Sequence, residues 1–240
     1  MNRVILCEGK TDALLLSYYL GKVSGWNHTS PPEGLAIKAR AQNENVDWYK
    51  KGDELLMICA VGGKDNFARF FTRDLKKAMT TSAAFSRIAI VTDRDDREVE
   101  NIERSVMGTF SPFFNSIKNR EWQTNHYSDG FGIEQSIESL LLVIPKEQQG
   151  ALETVMLTAI AEDPYDRSIV EKCVEFVSDM RPLADRYISS DRLQLKANLS
   201  TVWAIQSPEK AFDFINEQIN SVVWEKYDTL RNCFGILEEI

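Results

Sequence analysis

The residues of this sequence best suited to chemistry are acids that follow short apolar runs. Arg87-Ile88-Ala89-Ile90-Val91-Thr92 reads as a buried strand, and Asp93-Arg94-Asp95-Asp96 follows it directly. Ligands bind at the strand ends of parallel α/β sheets. Asp is a poor strand and mid-helix residue, so an acidic cluster here is a weak candidate for stability. Side chains alternate along extended backbone, so Asp93 and Asp95 are expected to point the same way. Two carboxylates aimed at one point repel unless a cation lies between them, and Mg²⁺ or Mn²⁺ is the natural occupant. A plainer reading stays open: a solvated acidic loop in which Asp96 caps the next helix.

The N-terminus repeats the pattern. Arg3-Val4-Ile5-Leu6-Cys7 is a strand-like run that ends in Glu8-Gly9-Lys10-Thr11-Asp12. Gly9 suits a tight turn, and Thr11 or Asp12 could cap a helix over Ala13 to Leu20. Strand, Glu, Gly, helix in one place and strand, Asp-x-Asp, helix in another resemble the Toprim domain. The Glu8-Gly9-x-x-Asp12 form looks like the version in OLD-type (overcoming lysogenization defect) nucleases and small standalone Toprim proteins. The Val61-Gly62-Gly63-Lys64 turn between the motifs also fits. The resemblance covers roughly residues 1–145 with motifs and the remainder loosely.

The resemblance implies a site of one or two divalent cations on Glu8, Asp93 and Asp95, with Mg²⁺ or Mn²⁺ as cofactor. Metals about 4 Å apart can clamp the attacking and leaving oxygens of a phosphodiester displacement. Glu8 could instead act as a general acid or base. Asp12 is a second-metal ligand by resemblance and a helix-start residue by local physics. OLD-type proteins add an acid in a later helix and a lysine beyond it. Glu138, in Ile137-Glu138-Ser139-Leu140-Leu141, resembles that acid, and Glu134 is expected on the same helical face. Lys196, in Leu195-Lys196-Ala197-Asn198, resembles the lysine, which would stabilise charge at a scissile phosphate; a surface lysine is the plainer reading. Lys10, Lys64, Arg94 and Arg97, with Arg69, lie next to the motif turns and are candidates to touch phosphate.

These residues need elements to hold them. Strands are expected near Val4–Cys7, Leu55–Val61 and Arg87–Thr92, with helices near Thr11–Lys22, Asp65–Met79 and Arg97–Asn119. A fourth strand is expected within Trp122–Tyr127. That alternation predicts βα units and a mainly parallel sheet. The stretch from Ser24 to Gly52 reads as an insertion, a lid or added hairpin, with a short strand at Leu35–Ala39. From Gly132 onward the pattern is helical: Ile133, Ile137, Leu140, Leu141 and Ile144 recur at helical spacing up to Pro145. Later helices are expected at Lys146–Glu162, Arg167–Met180, Pro208–Ile219 and Val222–Ile236. Trp203, Phe212, Phe214, Ile215 and Trp224 read as packing residues. The fold class is therefore α/β: a Toprim-type, mainly parallel sheet flanked by helices, with a core at 1–145 and a helical C-terminal subdomain, 146–240, packed on it.

Composition narrows the function. The 240 residues are 43% hydrophobic and 27% charged, enough for a well-packed domain, and the net charge of −8 argues against a general nucleic-acid-coating protein. A nuclease remains open, because bound metal offsets a carboxylate-rich site. Cys7, Cys59, Cys173 and Cys233 are far apart with no CxxC, so structural zinc is not expected and a reducing cytoplasm is the simplest setting. No apolar run approaches the ~20 residues that span a bilayer, and no signal peptide is expected. His28 and His126 lack metal-ligand spacing. No P-loop occurs, so an ATPase would have to be a separate partner. No tyrosine ties to the acids, against a topoisomerase mechanism, and no zinc-binding Cys/His set points to a primase or recombination mediator.

The expected activity is a divalent-metal-dependent endonuclease acting on nucleic acid, DNA ahead of RNA, working with a separate ATPase as in phage-defence systems. A homo-oligomer stays open. The alternatives are metal-dependent phosphoryl transfer on a small nucleotide, favoured if the Ser24–Gly52 insertion closes over the site, and a non-catalytic Toprim interaction module.

Overall fold

A computed structural model describes residues 2–35, 37–81, 85–111, 113–210 and 215–240. In chain order the first elements are β1 (Asn2–Cys7), α1 (Lys10–Ser24), β2 (Asn27–Thr29), β3 (Asn45–Lys51) and β4 (Glu54–Ala60). A helical stretch follows: a 3₁₀ turn at Lys64–Asn66, α2 (Phe67–Phe70), a π-helical turn at Phe71–Leu75 and α3 (Lys76–Thr81). Then come β5 (Phe85–Asp93), α4 (Val99–Phe110), β6 (Gln123–Ser128) and β7 (Glu134–Ile144). The remaining α-helices are α5 (Leu152–Ile160), α6 (Pro164–Met180), α7 (Asp191–Gln206), α8 (Ile215–Asn220) and α9 (Asp228–Phe234).

The strands form one seven-stranded sheet in the order β2-β3-β4-β1-β5-β7-β6. β1 pairs in parallel with β4 and β5, and β5 with β7, while β3 and β6 run antiparallel to their neighbours. The fold is thus α/β on a mixed, mostly parallel sheet, as the alternating pattern predicts. The central strands owe their place to continuous apolar runs: Val4 to Cys7, Leu56 to Ala60 and Ile88 to Val91 are all buried.

The chain divides into two compact units, Met1–Ile144 with Ile236–Ile240, and Pro145–Gly235. In the first, the returning tail is tied by Tyr19, whose hydroxyl donates to Glu238 Oε1 at 2.9 Å. The second is helical, with Val155, Met156, Ile160, Val202, Trp224 and Phe234 buried. Pro164 stands at the first turn of α6 behind an Asp163 cap, and Ser190 caps α7. Among the described residues, no helix is long and apolar enough to cross a membrane.

Four expectations need correction. Glu134 to Ile144 is a strand, not a helix. Its 3–4 spacing of apolar residues also fits an unbroken run, Leu140 to Ile144, buried on both faces; periodicity alone does not separate the two. The helix expected over Arg97–Asn119 begins at Val99 and stops at Phe110. The cap at its start is Glu98, not Asp96, and Ser111, which precedes a proline, leaves the helical region. The insertion's long strand is β3, an antiparallel extension of the sheet through β2 and β4, and the described residues of 35–39 hold no strand. Ile215 is 43% exposed, whereas Trp203 and Trp224 are buried; Phe212 and Phe214 lie outside the described residues.

Candidate active site at the strand ends

The sheet register brings the two acidic motifs together. Cys7 stands opposite Val91 on one side and Ala60 on the other, so β1, β4 and β5 end at the same level. The parallel order β4-β1-β5-β7 places the reversal of chain direction across the sheet at β1 and β5. Crevices for ligands open at such switch points, outside the carboxyl ends of the strands. Glu8 follows β1 there, and Asp93 closes β5.

Glu8 is held from three directions. Its Oε1 accepts from the Thr92 hydroxyl at 2.6 Å and from the Asp93 N–H at 3.0 Å. Its carbonyl accepts from the N–H groups of Gly62 and Gly63 at 2.9 and 2.8 Å. Those glycines have φ of 82° and 115°, left-handed values that side chains rarely adopt, and a Cβ on Gly62 would strike Asn43. The Val61–Lys64 turn is therefore built onto the end of β1. Glu8 is 1% exposed, yet its Oε2 is buried without a hydrogen-bond partner among the described residues. A buried, ionisable oxygen with an unused lone pair fits a cation.

Asp93 is 2% exposed and Asp12 8%. Asp12 Oδ2 accepts from the Gly9 N–H at 3.0 Å, the helix-start role that local physics assigns to it. The electrostatics place these acids round one thiol: burial first, then the charges of Asp12, Glu8 and Asp93 with Cys59, push the Cys7 thiol well above its usual range. Cys7 is thus held neutral, and its Sγ donates to the Cys59 carbonyl at 3.4 Å.

Asp95 differs. The extended backbone on which the same-direction expectation rests ends at Asp93, and Asp95 has φ of 53°. Its Oδ2 lies 2.5 Å from Lys64 Nζ. As the side chains stand, no three His, Cys, Asp or Glu groups are drawn close enough to cage a metal among the described residues. Glu8 Oε2 is left open to a cation, and Asp95 is engaged by an ammonium group.

The other candidates separate clearly. Lys10 Nζ donates to the Gln42 carbonyl at 2.8 Å, and Arg94 Nε to the Arg97 carbonyl at 3.2 Å, so both stand beside the strand-end turns. Arg97 is half-buried there, its Nε without a hydrogen-bond partner among the described residues. Glu138 is corrected: it pairs in register with Arg87, at the start of β5, with Arg87 Nε 2.6 Å from its Oε2. Asp93 lies six residue steps further along β5, about 20 Å at ~3.3 Å each. Glu134 lies further along β7 still, exposed beside His126. Neither can share a metal with Asp93; both assignments depended on the helix that proved to be a strand. Lys196 sits on α7 in the second unit, 2.5 Å from the buried carboxylate of Glu153, as an internal ion-pair partner.

Sequence reading missed Thr92 and a network round Glu44. The Glu44 carboxylate, fully buried, accepts from the N–H groups of Arg40 and Ala41 and from Arg73 at 3.0 Å, with Arg69 at 3.5 Å. Buried Asp74 pairs with Arg40 and Arg73. The π-helical turn supplies Arg73 and Asp74, a local irregularity that re-aims side chains. Asn43 Nδ2 donates to the Gly62 carbonyl at 2.8 Å, so this network pins the insertion's loop against the site turn.

Burial opposes ionisation of Glu44, but the hydrogen bonds from Arg73, Arg40 and Ala41 outweigh it and hold the carboxyl below the usual range. A lowered folded-state pKa stabilises above the unfolded value, about 4.3, and that contribution fades as pH falls through the folded value. Glu44→Gln is expected to lose about 2–4 kcal/mol of stability at pH 7, by leaving charged donors short of a partner. Urea unfolding of both proteins should show a difference that is constant above about pH 5 and shrinks below about pH 4.

A family model described as "Protein of unknown function (DUF3226)" matches residues 2–231. The chain belongs to the DUF3226 family. The crystal structure of hypothetical protein PH0156 from Pyrococcus horikoshii OT3 shares the fold, with a TM-score of 0.53 and 16% identity over 99% of this chain and 92% of that one. No curated protein matches.

Proposed function

We propose that this protein is a divalent-metal-dependent phosphodiesterase of the Toprim kind, an endonuclease on DNA or RNA, with Glu8 and Asp93 as its central metal-binding acids. The observation that carries the reading is the buried Glu8 carboxylate, with one oxygen fixed by Thr92 and Asp93 and the other without a partner, at the switch point of the sheet. The motif resemblance to OLD-type nucleases supports it. Mg²⁺ or Mn²⁺, when bound, would supply charge stabilisation at a phosphoryl oxygen and a nucleophilic water.

The chain's own residues prepare that chemistry. Thr92 and the Asp93 N–H orient Glu8, and the Gly62–Gly63 amides hold the strand end on which it stands. Lys10, Arg94 and Arg97 provide positive charge beside the turns, where a phosphate would approach. A partner ATPase in a phage-defence setting follows from the resemblance and belongs to the same proposal.

Phosphoryl transfer on a small nucleotide is the second reading. It is favoured by the near-complete burial of Glu8 and Asp93 and by the insertion's loop, which reaches the Gly62 turn. A cleavage assay separates the two. Supercoiled plasmid and structured RNA are incubated with purified protein in Mg²⁺, Mn²⁺ or EDTA. Metal-dependent nicking supports the nuclease. No cleavage of either polymer, with Mn²⁺ still raising the melting temperature, turns the reading to a small substrate.

A further inference from the structure

The site holds an internal cation. Lys64 opens the turn that follows Gly62 and Gly63, both of which donate their N–H groups to the Glu8 carbonyl. Asn66 Nδ2 donates to the Gly62 carbonyl at 2.7 Å and braces the same turn. Lys64 is therefore placed by the strand end that carries Glu8. Its ammonium meets Asp95, the acid that leaves extended geometry at φ 53°. Glu8 Oε2 is buried without a hydrogen-bond partner among the described residues.

Resting on the metal-site reading, we infer that Lys64 is the counter-ion of Asp95, which a divalent cation must displace to recruit that carboxylate, so that Lys64 weakens metal binding. Two physical terms act together. The Lys64–Asp95 pair is partly exposed, with side chains 38% and 22% accessible, so its own strength is modest and it can be exchanged. An ammonium beside a divalent cation also repels it. Once released, the Lys64 ammonium is free to meet an anionic group of the substrate. Lys64 is thus a positioning residue whose removal should improve metal affinity, the opposite of what a supporting residue would do.

Isothermal titration of Mn²⁺ into wild type, Lys64→Met, Lys64→Arg and Asp93→Asn tests this without turnover. Lys64→Met is expected to bind Mn²⁺ roughly two- to fivefold tighter than wild type. Lys64→Arg, which keeps the pair, should stay near wild type. Lys64→Gln replaces the methionine variant if thermal unfolding shows that variant to be misfolded. Unchanged or weaker binding in the neutral variants, with wild type binding normally, overturns the role of Lys64 alone. No Mn²⁺ binding by wild type or by the neutral variants overturns the metal site and this role with it, whereas loss in Asp93→Asn supports the metal site, and tighter binding by Lys64→Met supports the role of Lys64.

Discussion

Asp93→Asn is expected to lower metal-dependent phosphodiester cleavage by at least about 10³-fold while leaving the fold intact. Changes in residues that merely support a metal ligand already cost about 10- to 100-fold, so loss of a ligand charge should cost more. The fold should survive for a local reason. Asp93 is the last residue of β5, and the bond that ties it to Glu8 uses its backbone N–H, which asparagine keeps. Asparagine also matches aspartate in shape, so the 2% exposed position is not emptied. Initial rates with Mn²⁺, beside circular dichroism of both proteins, check the result. Wild-type rates in the variant would remove Asp93 from the site.

Glu8→Gln separates stability from function in the opposite sense. Glu8 is buried among acids, and one oxygen lacks a hydrogen-bond partner among the described residues. A charge so placed costs free energy that a neutral isostere avoids. Glutamine keeps the acceptor that serves Thr92 and the Asp93 N–H, and it removes a like charge from the neighbourhood of Asp12 and Asp93. In EDTA the variant should be more stable by about 1–3 kcal/mol. For a chain of this size that corresponds to a rise in melting temperature of roughly 2–12 °C. The Mn²⁺-induced rise expected of wild type should be absent, because the ligand no longer favours the folded state. Differential scanning calorimetry with EDTA and with Mn²⁺ reads both effects. A variant clearly less stable than wild type in EDTA would make Glu8 a structural residue.

Much of this site is legible in the sequence because its two central acids each follow an unbroken apolar run. Such runs are the mark of central parallel strands, and parallel neighbours bring their C-terminal ends to one level, as Cys7 and Val91 show. The rest depends on contacts that spacing does not carry. The helical face expected to join Glu134 to Glu138 rests on a period that a doubly buried strand mimics. β3 carries a usable signal, the Lys51-Gly52-Asp53-Glu54 turn that joins it to β4, but the surrounding polar insertion masks it. The Thr92 bond to Glu8 and the Lys64 pair with Asp95 link residues that meet only once the register of the sheet is known. Lys196 illustrates the converse: a lysine that resembles a catalytic one in its local sequence pairs with Glu153 inside the second unit.

The most direct test of the metal site is an anomalous-difference map from crystals grown with Mn²⁺. A peak within bonding distance of Glu8 Oε2 and the Asp93 carboxylate, absent in Asp93→Asn crystals, is the predicted result. Crystals with Mn²⁺ bound elsewhere and no peak at Glu8 and Asp93 would contradict it.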